Sequence, residues 1–389
     1  MIALDLSRLL SRAQSTTPTG IDRVELAYAR YLMGSASSFC FAARNAIGGI
    51  GLLPVAEASQ FIIALAALWR GGAGPAERGR ITALARRLNL AALFGERKLH
   101  AALRDSDGVP VYLLVSHQNL DRTRAIERLK ATTGARFVCL IHDLIPLDFP
   151  ELTRPGQKRR HQNRIATVVT LADAVIVNSG ATHDALWKRL DGKQIPITVA
   201  PLGIDLPDAA KRATEHPYFV CIGTIEARKN HRLLIDLWQR LAVELGDRTP
   251  CLMLIGRRGF GGESLRLEAL YDLVIERSDL PDTEMAMLLR DARALLLPSL
   301  AEGFGLTVVE ALALGVPVLC SDLPALRESG RGVPDYLRPT DIIGWHRAVL
   351  DYTADSPRRK AQFSRLAEWQ PPSWSAHFAI VERLLADLS

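Results

Sequence analysis

The sequence has no apolar run long enough to cross a bilayer: its longest, such as Phe61 to Trp69, stop well short of the roughly 20 residues that a spanning helix needs. Nor does the N-terminal stretch "MIALDLSRLL" place a basic lead before a long apolar segment, so no secretory leader is expected and the chain reads as cytoplasmic. CxxC spacing is absent. The five cysteines, Cys40, Cys139, Cys221, Cys251 and Cys320, stand alone, mostly inside strand-like apolar runs, and are expected as reduced core thiols rather than disulfides or zinc ligands. Aromatic residues make up 6% of the chain and are not interleaved with the basic ones, and no reader motif is present, which argues against nucleic acid as a partner.

What is present is a long, ordinary globular composition. At 389 residues the chain exceeds one typical core, and two domains with a cleft between them are expected. Hydrophobic residues at 48% and charged residues at 23% fit a packed protein rather than a disordered one. The formal charge of +6 is uneven: between Arg70 and Arg104 eight Lys or Arg face only Glu77 and Glu96. That stretch includes "ITALARRLNLAALFG", where leucines at roughly helical spacing sit beside Arg86 and Arg87. It reads either as a solvated helix with its apolar side on the core or as a basic helix lying on an anionic membrane surface.

Apolar, β-branched runs of strand length recur at 110–116, 136–143, 174–179, 197–203, 218–225, 251–256, 294–299 and 317–321, with helical stretches between them. Runs that do not alternate suit parallel strands covered on both faces, and strand alternating with helix is the α/β signature. The helix "NHRLLIDLWQRLAVEL" is expected to bury Leu233, Leu234, Leu237 and Leu241, with Asn230 as its N-cap. The break between halves is expected in residues 202–217, giving domains 1–205 and 206–370, and 371–389 reads as a C-terminal helix able to pack on either.

The most informative stretch is "AEGFGLTVVEALALGVPV", 301–318. In open parallel sheets ligands sit beyond the carboxyl ends of strands. Here a strand leads through "LAEGFG" into the helix "LTVVEALALG", closed by Gly315 and Pro317. Gly303 and Gly305 permit close backbone approach, and the helix start offers unpaired N–H groups to an anion. Glu302 on the loop and Glu310 about one turn into the helix would address hydroxyls on either side of that anion, as in a nucleotide sugar; the alternative is two surface glutamates beside a packed helix. Upstream, "EARKNH" places Arg228 and Lys229 after another strand, where paired cations neutralise a diphosphate. Asp105 and Asp107 form an Asp-x-Asp, but they precede a strand rather than follow one, and no zinc-type cluster is evident, so no metal is expected.

"EGFGLTVVE", "GVPVLCSDLPALRE" and "GTIEARKNH", with "LDLSRLL", "TPTGIDRVELAYAR", "LLVSHQNL", "IHDLIPLDFP", "NSGATHDAL", "LIGRRGFGGESL" and "PDYLRPTDIIGW" in order along the chain, resemble the retaining glycosyltransferases of family 4. The resemblance implies an α/β GT-B fold of two facing Rossmann-like domains, the first binding acceptor and the second a nucleotide sugar. It implies a metal-independent hexosyltransferase that extends a bacterial surface glycan, with GDP-mannose the favoured donor and a UDP- or dTDP-sugar the alternative. The acceptor would be a glycan, lipid-linked, with peripheral membrane association.

Carried onto this chain, the resemblance implies that Glu310 binds ribose, that Arg228 and Lys229 hold the diphosphate, and that Glu302 with the backbone of Gly303, Phe304, Gly305 and Leu306 contacts the sugar. Thr307 and Gly223 join the donor site, and Gly20 would lie on the first loop beside the leaving phosphate. His142 would face the reacting carbon, which makes His142, Glu302, Arg228 and Lys229 the catalytic candidates. Acceptor-side candidates are His117, Asp143, Asp22 and Arg23; Asp143 alternatively orients a turn, and Asp22 and Arg23 alternatively cap a helix. The rival readings are an inactive nucleotide-sugar-binding partner and a GT-B epimerase or phosphorylase.

Overall fold

The computed structural model describes residues 1–207, 217–262, 265–267, 270 and 272–388. The chain divides into two compact units: unit 1 comprises Met1–Leu147, Gly156–Leu202 and Trp374–Ser389, and unit 2 comprises Asp148–Pro155 and Gly203–Ser373. Most of the expected linker at 202–217 lies outside the described residues.

Unit 1 is a seven-stranded sheet: β1 (Ile2–Asp5), β2 (Phe39–Arg44), β3 (Ile50–Leu53), β4 (Val111–Leu114), β5 (Arg136–Ile141), β6 (Ala174–Val177) and β7 (Ile197–Val199). Its order is β3-β2-β1-β4-β5-β6-β7. The strands from β2 to β7 pair in parallel, while β3 pairs antiparallel with β2, a departure from the all-parallel expectation. Only five residues separate β2 from β3, too few for a parallel crossover, so the chain doubles back through Gly48, whose φ of +91° suits a tight turn. β4 and β6 are buried along their whole length, as the unbroken apolar runs require.

Unit 2 is a six-stranded, wholly parallel sheet: β8 (Tyr218–Ile222), β9 (Cys251–Ile255), β10 (Val274–Arg277), β11 (Leu295–Leu297), β12 (Val318–Ser321) and β13 (Asp335–Leu337), in the order β10-β9-β8-β11-β12-β13. All eight expected strands form. β1, β2, β3, β10 and β13 were not expected: β10 and β13 carry charged residues and are short edge strands, so they lack an apolar signature.

Helix His231–Leu245 buries the expected leucine face together with Trp238. Asn230 occupies its N-cap position, but in a left-handed conformation with no side-chain cap. Its amide instead donates to the Pro298 and Pro339 carbonyls at 3.2 and 2.9 Å. Helix Pro75–Phe94 turns Ile81, Leu84 and Leu88 onto the core and leaves Leu90, Phe94, Arg86 and Arg87 exposed. Helix Trp374–Ala386 belongs to unit 1, where His377 donates from Nδ1 to the Ala200 and Pro201 carbonyls at 3.2 and 3.1 Å and accepts from the Tyr28 hydroxyl at 2.8 Å. Phe378 stacks on Tyr31, centroids 3.8 Å apart. All five cysteines are free. Among the described residues no helix is long and apolar enough to cross a membrane.

Candidate functional site

In unit 2 the site is built where β8 and β11, neighbours in the sheet, release their chains. After β8 comes Gly223, at φ +140°, and then a 3-10 turn, Ala227–Lys229. A Cβ on Gly223 would stand 3.4 Å from Lys229 Cε. The loop after β9 braces this turn through the backbone: Gly259 N donates to Ile225 O at 2.8 Å and Ala227 N to Phe260 O at 3.0 Å. A Cβ on Gly256 would come within 2.0 Å of Gly223 O, so glycine is required there. This bracing role of "LIGRRGFGG" was not legible beforehand, because loop-on-loop pairing has no local sequence signature.

After β11 the chain reaches Ser299 and Glu302. Lys229 Nζ donates to Glu302 Oε1 at 2.5 Å, Arg228 Nη1 to Oε2 at 3.2 Å, and the Ser299 hydroxyl to Oε1 at 2.7 Å. Arg228 also pairs with Glu226 at 2.6 Å. The Glu302 side chain is 8% exposed. Burial alone would raise its pKa, but Lys229 and Arg228 more than offset that and pull it down to about 2. Glu302, Arg228 and Lys229 are therefore brought into one ionised cluster.

Gly305, at φ +93°, stands at the N-cap of helix Leu306–Ala313; a Cβ there would meet Leu326 at 2.4 Å. Thr307 is half-buried in the first turn, and Glu310 is buried, 7% exposed, one turn further in. Phe304 is buried at 5% exposure, which leaves its backbone, not its ring, for a ligand. Gly303 is half-buried on the loop between Glu302 and Gly305.

In unit 1 the corresponding edge is uncharged at its centre. His142 directly follows β5 and His117 lies just past β4, both buried. His142 Nε2 faces the Val115 carbonyl at 2.8 Å, so that nitrogen carries the proton and Nδ1 is the acceptor. His117 Nε2 accepts from His142 N at 3.1 Å, so its proton is on Nδ1. Burial pushes the His142 pKa down to about 4; burial, with His142, also holds His117 well below the usual range. Asn178 donates to the His142 carbonyl at 3.0 Å, fixing the loop. Asp143 accepts from Ile145 N at 3.1 Å, the turn-forming contact among its two expected roles.

One expectation is corrected here, and one alternative is taken up. Gly20 is not on a loop but is the first residue of helix Gly20–Gly34, exposed at its start. Asp22, fully buried, closes a capping box with Thr19 and holds two arginines, Arg8 at 2.5 Å and Arg12 at 3.1 Å, the helix-cap contact among its two expected roles. Arg23 follows in the same turn and is half-buried. Sequence reasoning missed Arg8, Arg12, His161 and Arg164. The His161 ring lies 5.1 Å from His117, and Arg164 Nη1 lies 3.3 Å from His161 Nδ1. It also missed Glu25, fully buried, which accepts from Leu9 N at 2.9 Å; burial, reinforced by Asp5, raises its pKa to about 8. Asp105 and Asp107 are exposed and precede β4, and among the described residues no group of three or more His, Cys, Asp or Glu is arranged to hold a metal ion.

Two family models match in succession, "Glycosyltransferase Family 4" over residues 62–207 and "Glycosyl transferases group 1" over 216–355. The chain is similar to O-antigen chain mannosyltransferase B of Escherichia coli, 34% identical over 40% of this chain and 42% of that protein. It is also similar to the serotype-specific mannosyltransferase WbdA of Escherichia coli, 25% identical over 69% of this chain and 36% of that protein. It thus spans well under half the length of these two relatives. Among solved structures, HepE of Anabaena in complex with UDP and glucose superposes with a TM-score of 0.67 over 99% of this chain and all of that one, at 15% identity. Two parallel-sheet α/β units with both family models in chain order identify a GT-B fold that carries a glycosyltransferase family 4 domain followed by a group 1 domain.

Proposed function

We propose that the protein is a retaining, metal-independent mannosyltransferase that moves mannose from GDP-mannose to a growing bacterial surface glycan. The observation that carries this reading is the Glu302–Arg228–Lys229 cluster at the carboxyl edge of the unit 2 sheet. Two adjacent cations fixed by the ionised carboxylates of Glu302 and Glu226 present preorganised donors suited to the diphosphate of a sugar nucleotide. Glu310, one turn into the adjoining helix, would take the ribose, and Gly303 to Leu306 with Thr307 the sugar and phosphates. The two mannosyltransferase relatives support the choice of sugar and the O-antigen-type acceptor.

The chemistry then needs no protein nucleophile. As the bond from the anomeric carbon to the diphosphate breaks, the departing diphosphate takes the proton of the attacking hydroxyl on the same face, and Arg228 and Lys229 stabilise the charge that develops on it. His142, neutral with its Nδ1 lone pair available as an acceptor, would orient a hydroxyl in unit 1, where the acceptor is placed in this reading.

A cytoplasmic enzyme working on a lipid-linked acceptor would meet the membrane surface. Exposed Ile63, Leu90 and Phe94, on helices Val55–Gly71 and Pro75–Phe94 that also expose Arg86 and Arg87, support this. Sedimentation with vesicles that does not depend on anionic lipid would remove that part of the reading.

The test of the donor is a thermal-shift panel with GDP, UDP, dTDP, ADP and CMP on the wild type and on Arg228→Ala. Stabilisation by GDP that the variant loses is the expected result. Stabilisation by UDP or dTDP alone would replace the donor, and no shift with any nucleotide would overturn the reading in favour of an inactive partner.

A further inference from the structure

The carboxyl edge of the unit 1 sheet gathers cations that donor chemistry in unit 2 does not use. Arg8 and Arg12 share the single carboxylate of Asp22. Arg8 lies on helix Ser7–Ser11, which packs beside the exit of β4: Gln118, the neighbour of His117, reaches Ser7 O and Ser11 Oγ, each at 3.5 Å. From the other side, helix Gln157–Leu171 brings in His161 and Arg164, with His161 against His117. The edges of β1, β4 and β5, adjacent in the sheet, therefore meet in one place.

The charges there do not balance. Four arginines, Arg8, Arg12, Arg160 and Arg164, stand against three carboxylates, Asp22, Asp121 and Asp143. His117 and His142 are neutral and add nothing to either side. Among the described residues Arg164 makes no ion pair, its buried Nε has no hydrogen-bond partner, and its guanidinium is held by His161 alone. Arg8 commits Nε to Asp22 and Nη2 to Thr19, which leaves Nη1 with no partner among the described residues. A buried donor without a partner is a cost to the fold, and an incoming anion removes it.

We propose that this edge is a seat for a phosphate group carried by the acceptor, bound between Arg8 and Arg164 beside His142; this deepens the glycosyltransferase reading and rests on it. The excess of positive charge calls for an anion. Two guanidiniums approaching from different helices favour the tetrahedral oxygens of a phosphate over a planar carboxylate. The phosphate belongs to a soluble sugar phosphate or to a lipid phosphodiester, and the two share this chemistry.

The test separates the seat from the donor site. Phosphorus NMR line broadening of methyl phosphate is followed on the protein carrying both Arg228→Ala and Lys229→Ala, which removes the two unit 2 cations, and then on the same variant with Arg164→Gln added. Binding in the first that weakens about tenfold or more in the second, the loss expected of a charge-assisted contact, supports the seat. No binding in the first, or equal binding in both, overturns it, whether or not GDP-mannose proves to be the donor. In the otherwise wild-type enzyme, KM is then compared for methyl mannoside, a soluble mannosyl phosphate and a mannose-terminated lipid diphosphate. A KM about tenfold lower for either phosphorylated acceptor, with the gap closed by Arg164→Gln, supports the seat, and whichever one gains identifies the source. Equal KM for all three overturns it. Failure of every acceptor and of donor binding would instead overturn the transferase reading, leaving the NMR result to decide the seat.

Discussion

The two sheets end in the same way, with loops at the carboxyl edges of parallel strands, yet they manage buried polar groups by opposite means. In unit 2 the edge is ionised: Glu302 is held between Arg228 and Lys229 with its pKa at about 2. In unit 1 the centre of the edge is neutral: His117 and His142 are kept unprotonated by burial, and Glu25 is kept protonated, its pKa raised to about 8. The difference teaches that a low-dielectric site has two routes to low cost: pair the charge or lose it. In the proposed reading the pre-paired charge of unit 2 meets the diphosphate, while in unit 1 the neutral histidines at the centre orient hydroxyls and the arginines that flank them keep the unbalanced charge.

The largest expected effect tests whether the ionised edge does the chemistry. Arg228→Ala should lower turnover by about a hundredfold or more, as loss of a transition-state cation does, with the circular dichroism unchanged. His142→Ala should lower it by only about tenfold. Equal losses in the two variants, measured side by side under saturating donor, would erase the comparison.

Next in size is the stability of the ionised edge itself. Glu302→Gln leaves Arg228 and Lys229 without their shared carboxylate and should destabilise unit 2 by about 3 kcal/mol in urea at pH 7. Because the folded pKa lies below the unfolded value of 4.5, this contribution is present above pH 4.5 and is lost as pH falls toward 2. The wild-type and variant curves should therefore converge in acid; a gap that persists at pH 2 would mean that packing, not charge, is what the variant removes.

The neutral edge has the opposite sign. Glu25 has a folded pKa of about 8 against 4.5, so its contribution is present below pH 4.5 and is lost as pH rises through 8. Glu25→Gln, which keeps the acceptor for Leu9 N, should stabilise the protein by about 1–3 kcal/mol at pH 8 and very little at pH 4. A variant less stable than wild type at pH 8 would show that the carboxyl is ionised and paired after all.

Smallest is the acid response of the histidines. His142, depressed from 6.5 to about 4, contributes stability above pH 6.5 that is lost as pH falls toward 4, on the order of 1–2 kcal/mol by pH 5. His231 in unit 2 and His377 in unit 1 are depressed in the same way by burial. Hydrogen exchange between pH 6.5 and 5 should therefore quicken in both units, more in unit 1, and His142→Gln should blunt that excess. Equal quickening in the two units would place the response outside the His142 edge.

Much of the fold was legible because parallel strands buried on both faces must be continuously apolar, and every such run in the sequence became a strand. The strands that escaped notice lie at sheet edges or carry charge, as β10 and β13 do, where one face or one end need not be buried. Glu302, Glu310, Arg228 and Lys229 stood out because glycine-bearing loops before apolar helices confine such residues to a strand's carboxyl end. Arg8, Arg164 and Glu25 did not stand out, since in sequence they are an arginine in a short turn, an arginine in a polar helix and a glutamate in an amphipathic one.

The sequence by itself determined the α/β alternation, the strand and helix positions and the loops on which the charged residues ride, because these follow from local apolar periodicity and backbone conformation. Only the tertiary structure decided which charges pair, which groups titrate and where an unbalanced cation is left. Those outcomes depend on burial and on neighbours 70 to 180 positions away, such as Lys229 against Glu302 or His377 against Ala200, and no local pattern encodes them.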